Sequence, residues 1–340
     1  MWWQKKATAA IVTGCNHLSM IGTMSSNALF DLTGKRVFVA GHRGMVGSAI
    51  VRRLDAEKCT ILTIGSKELD LRRQTETEKW IEENRPDAIF LAAGRVGGIH
   101  ANNSLPAEFI VDNLAIALTV IRAAHAANVQ KLVYLGSSCI YPRLAPQPMT
   151  EDLLLSGPLE PTNEAYAIAK IAGIKICAAY RREYGDDFVS VMPSNLYGPG
   201  DNYHPEHGHV PAALIRRFHE AKLARAPQVK VWGTGAPRRE FMAVDDLADA
   251  CVFVMKHYSD AEMINIGTGK DITIKEFAAC VADIVGYEGE IAFDSTRPDG
   301  VPQKLLDVSK LGKLGWRAKT PLRDGLRHAY RDFVAGGGGG

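Results

Sequence analysis

Residues 36–47, RVFVAGHRGMVG, decide the fold prediction. Four of the first five are apolar and two of these are β-branched, which predicts a short buried strand. Glycines follow it at 41, 44 and 47, and the next residues predict a helix that runs through Leu54. Such glycines let the backbone approach a pyrophosphate closely, while the helix N-terminus supplies N–H donors and a positive dipole. The glycines alone are a weak signal, but between a strand and a helix they predict a dinucleotide site.

The alternation of strand and helix continues to about residue 195. Apolar runs at 60–64, 88–91, 131–135 and 188–192 predict further strands, and residues 109–126 and 164–184 have helical spacing. Repeated strand–helix–strand units predict an α/β fold, a Rossmann-type doubly wound parallel sheet with helices on both faces. After Leu196 the pattern breaks into Pro- and Gly-rich loops with shorter elements. This change predicts a smaller C-terminal α/β portion that binds substrate.

These changes of pattern divide the chain into four parts. The first 30 residues carry no acidic side chain, and we expect an N-terminal extension at residues 1–33 to be poorly ordered. Residues 34–195 form the dinucleotide-binding domain. Residues 196–333 form mainly the substrate-binding portion, from which the chain can cross back to the sheet. Residues 334–340 form a glycine-rich tail.

Composition and charge exclude several classes of protein. The 340 residues are 46% hydrophobic, and 40 Lys plus Arg against 38 Asp plus Glu leave a net charge of +2. This balance gives no reason to expect nucleic acid or a membrane surface as partner, and no apolar run approaches the roughly 20 residues that cross a bilayer. Six scattered cysteines without a Cys-x-x-Cys pair indicate free thiols. We therefore expect a cytoplasmic globular protein, by its size an enzyme.

The residues after the second predicted strand bear on the choice of cofactor. The sequence there is Gly65-Ser66-Lys67, where NAD-binding sheets of this kind carry an acid for the ribose 2′-hydroxyl. No acid is present, whereas Arg43 in the glycine turn and Lys67 supply cations suited to a 2′-phosphate. This pattern favours NADP(H) over NAD(H).

A second motif is Tyr166-Ala-Ile-Ala-Lys170, with Ser137 at the end of an earlier strand. Residues four apart share one helix face, so the ammonium is expected beside the phenol. A neighbouring cation lowers the pKa of a tyrosine, which predicts that Tyr166 donates protons at neutral pH. Ser137 follows a strand at the edge where open α/β sheets bind ligands. The alternative is an ordinary surface Tyr–Lys pair, which the serine and the glycine turn disfavour.

Together these motifs resemble the extended short-chain dehydrogenase/reductase superfamily, over roughly residues 34–333. Further segments are similar to its GDP-L-fucose synthase family: residues 92–99, 136–142, 160–164, 195–199, 216–221 and 239–241. The most specific is 136–142, GSSCIYP, which adds a cysteine two residues after the serine. Members of the family convert GDP-4-keto-6-deoxy-D-mannose to GDP-L-fucose with NADPH.

The resemblance implies catalytic roles for five residues. Ser137, Tyr166 and Lys170 would serve reduction of the C4 ketone by NADPH. Cys139 and His209 would exchange protons at C3 and C5, which the ketone acidifies. For Cys139 the alternative is a small buried hydrophobe. For His209 the alternative is a metal site with His204 and His207, but nothing fixes that geometry and no metal is expected.

The resemblance also implies binding residues and an assembly. Cofactor contacts are expected from Gly41, His42, Arg43, Gly44, Met45, Val46, Gly47, Ser66, Lys67, Asp70, Leu71, Leu135, Gly136, Ser138, Tyr166, Lys170, Pro193, Ser194, Asn195, Leu196 and His209. Substrate contacts are expected from Arg217, Trp232, Arg239 and Asp299, with Lys304 as a further candidate for the diphosphate; for each of these cations the alternative is a solvated surface charge. The helices at 109–126 and 164–184 would pair two chains into a homodimer.

Two other functions stay open at this point. Another nucleotide-sugar epimerase or reductase of the same superfamily, such as a GDP-mannose 3,5-epimerase, would share most motifs. A dehydratase is disfavoured, because Ser138 and Cys139 follow Ser137 where a dehydratase carries acids. A non-catalytic, NADP-sensing binding protein would be expected to lose the serine or the Tyr-x-x-x-Lys motif, and both are present.

Overall fold

The computed structural model describes residues 28–204, 208–296 and 299–336. The strands are β1 (Arg36–Ala40), β2 (Thr60–Leu62), β3 (Ala88–Leu91), β4 (Lys131–Leu135), β5 (Asp187–Pro193), β6 (Asn195–Tyr197), β7 (Gln228–Trp232), β8 (Arg238–Ala243), β9 (Ile264–Ile266), β10 (Asp271–Thr273), β11 (Glu290–Asp294) and β12 (Gln303–Lys304). The helices are α1 (Met45–Leu54), α2 (Gln74–Asn84), α3 (Ile99–Ser104), α4 (Pro106–Ala126), α5 (Glu164–Tyr184), α6 (Val210–Leu223), α7 (Val244–His257), α8 (Ile274–Val285), α9 (Ser309–Lys313) and α10 (Leu322–Val334).

The main sheet has six parallel strands in the order β2-β1-β3-β4-β5-β9. Alternate residues of β1 point to opposite faces. Val37 and Val39 pack in the cluster that includes α1 and α7, whereas Phe38 and Ala40 pack in the cluster that includes α4 and α5. Both faces are therefore buried, which explains why the strands read as continuous apolar runs. The prediction of a doubly wound parallel sheet is confirmed.

The chain reverses its direction of winding at β1. It passes from β1 outward to β2 and then returns to β3 on the other side of β1. The carboxyl ends of β1 and β3 thus border the crevice in which open sheets bind ligands. Gly41 follows β1 there with φ +86°, and a Cβ on it would lie 2.7 Å from the Ala93 nitrogen. Only glycine allows this approach.

The C-terminal portion has a core of its own. Its strand β8 pairs with β10, β12 and β6, and β7 pairs with β11. Phe218, Phe241 and Phe277 are among the residues of this core. The portion is not a separate continuous segment, because α7 packs on α1 and β9 pairs with β5 in the main sheet.

The N-terminal boundary differs from the predicted one. Residues 1–27 lie outside the described residues, as do residues 337–340 of the tail. Residues 28–33 were assigned to the extension, yet the backbone N–H groups of Leu29 and Phe30 donate to the Lys256 carbonyl at 2.7 and 3.2 Å. Leu32 is completely buried in the core. The folded body therefore begins before residue 34, because this short segment covers the end of α7.

The expectation that no segment is long and apolar enough to span a membrane was wrong for α4. Its 21 residues meet both criteria. In the folded chain α4 packs against α2 and α5, and 44% of its most apolar window is buried. A core helix of a globular domain passes the same test. Two of its apolar side chains, Val111 and Leu118, are exposed.

Candidate active site

The glycine turn after β1 is built by close backbone approaches. A Cβ on Gly47 would collide with the Gly41 carbonyl oxygen, so glycine is required for α1 to start this near the strand. Gly44 caps α1 without a side-chain hydrogen bond, and the first turn of the helix has no acidic residue. The N–H groups at this helix end are therefore available to an anion such as a pyrophosphate.

Arg43 occupies the space at the end of the second strand. A Cβ on Gly65 would lie 2.8 Å from the guanidinium carbon of Arg43. Ser66 and Lys67 are exposed beside Gly65. A cation thus lies where NAD-binding sheets place an acid for the ribose. These residues fit the 2′-phosphate of NADP.

Several other predicted cofactor residues already have protein partners. Arg72 donates to both carboxylate oxygens of Asp70, which lowers the pKa of Asp70. The Asn195 side-chain amide donates to the Glu240 carbonyl at 2.8 Å. By contrast, the buried Ser194 hydroxyl has no hydrogen-bond partner in the described part of the chain. Ser194 is therefore the polar group of this loop that remains available to a ligand.

The predicted Ser–Tyr–Lys set lies at the carboxyl edge of the sheet. Ser137 caps the 3₁₀ turn that follows β4, and its hydroxyl accepts from the Cys139 N–H at 3.3 Å. Tyr166 and Lys170 lie one turn apart on α5, and both are at least nine-tenths buried. The Ser137 side chain also lies near enough to the Tyr166 hydroxyl to lower the pKa of the phenol. The structure thus brings the serine and the tyrosine together.

The expected lowering of the Tyr166 pKa by Lys170 is contradicted. Burial raises the pKa of Tyr166 well above its ordinary value, the neighbouring Cys139 raises it further, and the nearby Ser137 side chain opposes this. The Lys170 ammonium lies 5.8 Å from the Tyr166 ring centroid and donates to the Leu135 carbonyl at 2.8 Å. Desolvation lowers the pKa of Lys170 itself to about 8. Burial is therefore the main cause of the pKa shift of both Tyr166 and Lys170, and spacing along a helix does not reveal it.

Asn113 on α4 belongs to the same region but was not among the predicted residues. Its amide nitrogen donates to the Arg95 and Phe109 carbonyls, while its Oδ1 atom has no partner among the described residues. A Cβ on Gly94 would lie 2.6 Å from that oxygen and 3.6 Å from the Lys170 ammonium. The sequence offers little signal for it, since Asn113 follows Asp112 and reads as part of a polar pair in α4.

Cys139 is half-buried, and so the alternative of a fully buried hydrophobe does not describe it. It packs against the small cluster of Ala101, Phe109 and Tyr166. Its sulfur also lies 3.5 Å from the Lys304 ammonium. The thiol therefore has a polar partner and faces the same space as Tyr166.

His209 approaches this cluster from the N-terminus of α6. The residue as a whole is exposed, but neighbouring atoms partly desolvate its imidazole, and this lowers the pKa of His209. A bond to the Gly97 carbonyl acts in the opposite direction. Gly97 in turn adjoins Ala101 and Phe109. His207 lies outside the described residues, among which no group of three or more potential ligands for a metal is found.

Four of the predicted substrate residues lie around the end of β7. Arg217 donates to the Lys230 carbonyl on this strand at 2.8 Å, and Trp232 is its last residue, 62% exposed. Asp299 accepts from the N–H and hydroxyl of Thr234, and it also faces Arg239. Desolvation lowers the pKa of both arginines. Two partly desolvated guanidinium groups make this a suitable place for an anion.

Comparison with known proteins agrees with this geometry. Residues 37–267 match the NAD dependent epimerase/dehydratase family. The chain is 57% identical over 296 residues to GDP-L-fucose synthase 1 of Arabidopsis thaliana, covering 87% of this chain and 92% of the relative. It is 51% identical over 313 residues to the GDP-L-fucose synthase of Escherichia coli (strain K12), covering 89% and 98%.

A solved structure shows the same likeness in three dimensions. The NADP-bound GDP-L-fucose synthetase from Naegleria fowleri has a TM-score of 0.84 at 26% identity, covering 92% of this chain and 97% of that one. Its cofactor agrees with the cation that Arg43 places at the second strand. The chain belongs to the NAD dependent epimerase/dehydratase family and, within it, to the GDP-L-fucose synthases.

Proposed function

We propose that this protein makes GDP-L-fucose from GDP-4-keto-6-deoxy-D-mannose by epimerising C3 and C5 and then reducing C4 with NADPH. The observation that carries the division of roles is the direct contact of Cys139 with the Ser137–Tyr166 pair. A simple ketoreductase needs the serine, tyrosine and lysine. A half-exposed thiol in the same pocket adds a group that can take a proton from carbon.

The epimerisation needs one proton acceptor and one proton donor. The thiolate of Cys139 takes the proton from C3 or C5, and the electron pair of the broken C–H bond forms an enolate with the C4 ketone. His209 then returns a proton to the other face of the same carbon, so nothing is oxidised or reduced. Because desolvation lowers the pKa of His209, its imidazolium gives up a proton readily.

The reduction uses the Ser137–Tyr166–Lys170 set. Bound NADPH supplies the hydride for C4, and Tyr166 supplies the proton for the ketone oxygen. Burial raises the pKa of Tyr166, so its phenol is protonated at neutral pH and ready to donate. Ser137 lies beside the phenol and orients the reacting groups. Lys170 is fixed to the Leu135 carbonyl beside them.

The nucleotide end of the substrate is assigned to the residues around β7. Arg217 and Arg239 supply cations for the diphosphate, which suits two guanidinium groups that have lost part of their water. The exposed ring of Trp232 offers a surface for the guanine base. Asp299 holds the loop after β7 through Thr234.

We also infer a homodimer in the cytoplasm. The paired helices α4 and α5 expose Val111, Leu118 and Ile168, which a second chain would cover. Val111 and Leu118 are seven residues apart and so share one face of α4. All five cysteines among the described residues are free thiols, which suits a reducing compartment.

The decisive experiment separates the two half-reactions. Cys139→Ser and His209→Gln remove the proposed proton carriers, and Tyr166→Phe removes the proton donor of the reduction. Each variant is incubated with GDP-4-keto-6-deoxy-D-mannose in heavy water, and deuterium at C3 and C5 is measured by mass spectrometry beside NADPH oxidation. Tyr166→Phe should keep the exchange but lose about 10²–10⁴-fold in reduction.

The first two variants should give the opposite result. Cys139→Ser and His209→Gln should lose exchange at C3 or C5 while still binding NADPH through the glycine turn. Wild-type exchange in both variants would remove the epimerase half of the proposal. Near-normal NADPH oxidation by Tyr166→Phe would remove the assignment of the reducing acid.

A further inference from the structure

The contact between Lys304 and Cys139 is not explained by diphosphate binding. The Lys304 ammonium lies 3.5 Å from the Cys139 sulfur, within hydrogen-bond reach of a sulfur acceptor. The two residues are 165 positions apart in the chain. Both are half-buried, so their contact is shielded from part of the solvent that weakens surface charge pairs.

Lys304 is held at this place by its own backbone. It lies on β12 opposite Arg239 of β8. The next two N–H groups are also fixed, because that of Leu305 donates to the Gln147 side chain at 2.8 Å and that of Leu306 donates to the Glu240 carboxylate at 3.0 Å. A lysine anchored in this way needs little further ordering to meet the thiol.

Cys139 is fixed from the other side. Its N–H donates to the Ser137 hydroxyl in the turn after β4, and its side chain packs against the cluster that contains Tyr166. Among the described residues, the sulfur interacts with two titratable groups, Lys304 from β12 and Tyr166 from α5, and His209 approaches the same cluster from the N-terminus of α6. In the part of the chain that the structure describes, no carboxylate lies within ion-pair distance of Lys304. Its positive charge thus remains directed at the sulfur.

We propose that Lys304 is a positioning residue for Cys139: its ammonium stabilises and orients the thiolate that removes the sugar proton, and its main role is in epimerisation. The inference rests on the proposed function of Cys139 as the base. A thiolate is the reactive form of cysteine, and a hydrogen-bonded cation stabilises the negative charge on its sulfur. When the sugar proton moves to sulfur, the bond to Lys304 weakens, and it forms again when the thiol returns the proton to water.

The test measures the thiol without any sugar present. The rate at which iodoacetamide alkylates Cys139 is followed by peptide mass spectrometry in the full-length protein, Lys304→Gln, Lys304→Arg and the exposed-lysine control Lys313→Gln. At pH 7, Lys304→Gln should react about tenfold more slowly than wild type, because the sulfur loses the cation that it contacts. Lys304→Arg should restore most of the rate.

A second measurement distinguishes this role from diphosphate binding. Lys304→Gln should lose deuterium exchange at C3 and C5 in proportion to its alkylation rate, while its affinity for GDP, measured by calorimetry, stays within about twofold of wild type. Unchanged alkylation together with a large loss of GDP affinity would overturn the inference and return Lys304 to the diphosphate. That outcome would leave the exchange test of Cys139→Ser untouched, so the proposed function would stand.

Discussion

Arg43 and Gly65 share one space at the end of the second strand, and from this we expect cofactor choice to depend on the Arg43 side chain. Arg43→Ala should weaken NADPH binding by about 10- to 100-fold, because a hydrogen bond to a charged group contributes about 1.5–3 kcal/mol. NADH lacks the 2′-phosphate, so its affinity should change little. Fluorescence titration of both cofactors gives the two constants. An equal loss for both would mean that Arg43 holds the pyrophosphate or the loop.

Lys170 should give the protein a characteristic dependence of stability on pH. Its pKa falls from 10.5 in the unfolded chain to about 8 in the fold, so the unfolded state binds more protons between these values. The free energy of unfolding should therefore rise as the pH increases from about 8 to 10.5. Below pH 8 the buried ammonium costs about 3 kcal/mol.

Lys170→Met removes this group and its cost. The variant should be more stable than wild type at pH 7, by about 2 kcal/mol after the loss of the bond to the Leu135 carbonyl. Its advantage should disappear by pH 10.5, and it should not reduce the ketone. Urea unfolding at pH 7, 8.5 and 10 measures the difference between the two proteins. A constant difference across this range would show that Lys170 does not lose its proton early.

Among the elements, α5 carries both Tyr166 and Lys170, and it packs on β4 through Gly173. A Cβ on Gly173 would collide with the ring of the buried Tyr134. Gly173→Ala should therefore destabilise the protein by about 1–3 kcal/mol and slow the reduction, because the helix that carries the reacting groups must shift. The matched control is Gly312→Ala in α9, where a Cβ meets nothing within 4 Å. It should stabilise the protein by up to about 1 kcal/mol, and chemical unfolding compares the two.

The longer elements could be predicted from the sequence because their signal is local. The strands at 88–91 and 131–135 and the helix at 164–184 have the predicted bounds. The short strands of the C-terminal portion could not be predicted in this way. β12 has two residues and β9 has three, too few to show a period, and both are defined by pairing with distant strands.

For the whole molecule, the exposed apolar face of α4 predicts the assembly. Leu118→Glu should convert the proposed homodimer into a monomer, because a charge at this place would be buried without a partner. Leu118 is 51% exposed in the single chain, and Leu223, which is 71% exposed on α6, provides the control. Leu223→Glu should leave the mass unchanged in light scattering after gel filtration. A monomeric wild-type protein, or equal effects of both changes, would contradict the proposal.

The complete fold determines which parts of the candidate site could be predicted from the sequence. The spacing of Tyr166 and Lys170 follows from helix geometry and could be predicted. The contact of Cys139 with Lys304 and the rise in the Tyr166 pKa could not, because the first joins residues 165 apart and the second depends on burial by the complete fold. Pairing and desolvation are properties of the folded chain, and a motif does not contain them.

The shared space of Arg43 and Gly65 also restricts the order in which this protein could evolve toward the other nicotinamide cofactor. An acid introduced first at position 65 would form an ion pair with the guanidinium, so it would neutralise the cation for the 2′-phosphate without being free to bind a ribose hydroxyl. Loss of Arg43 first opens the space and leaves a generalist intermediate, which a later acid can convert. A change of cofactor by single substitutions is therefore accessible when Arg43 is lost first and blocked when position 65 changes first. Directed-evolution libraries that vary position 65 alone should yield no NADH-preferring enzyme.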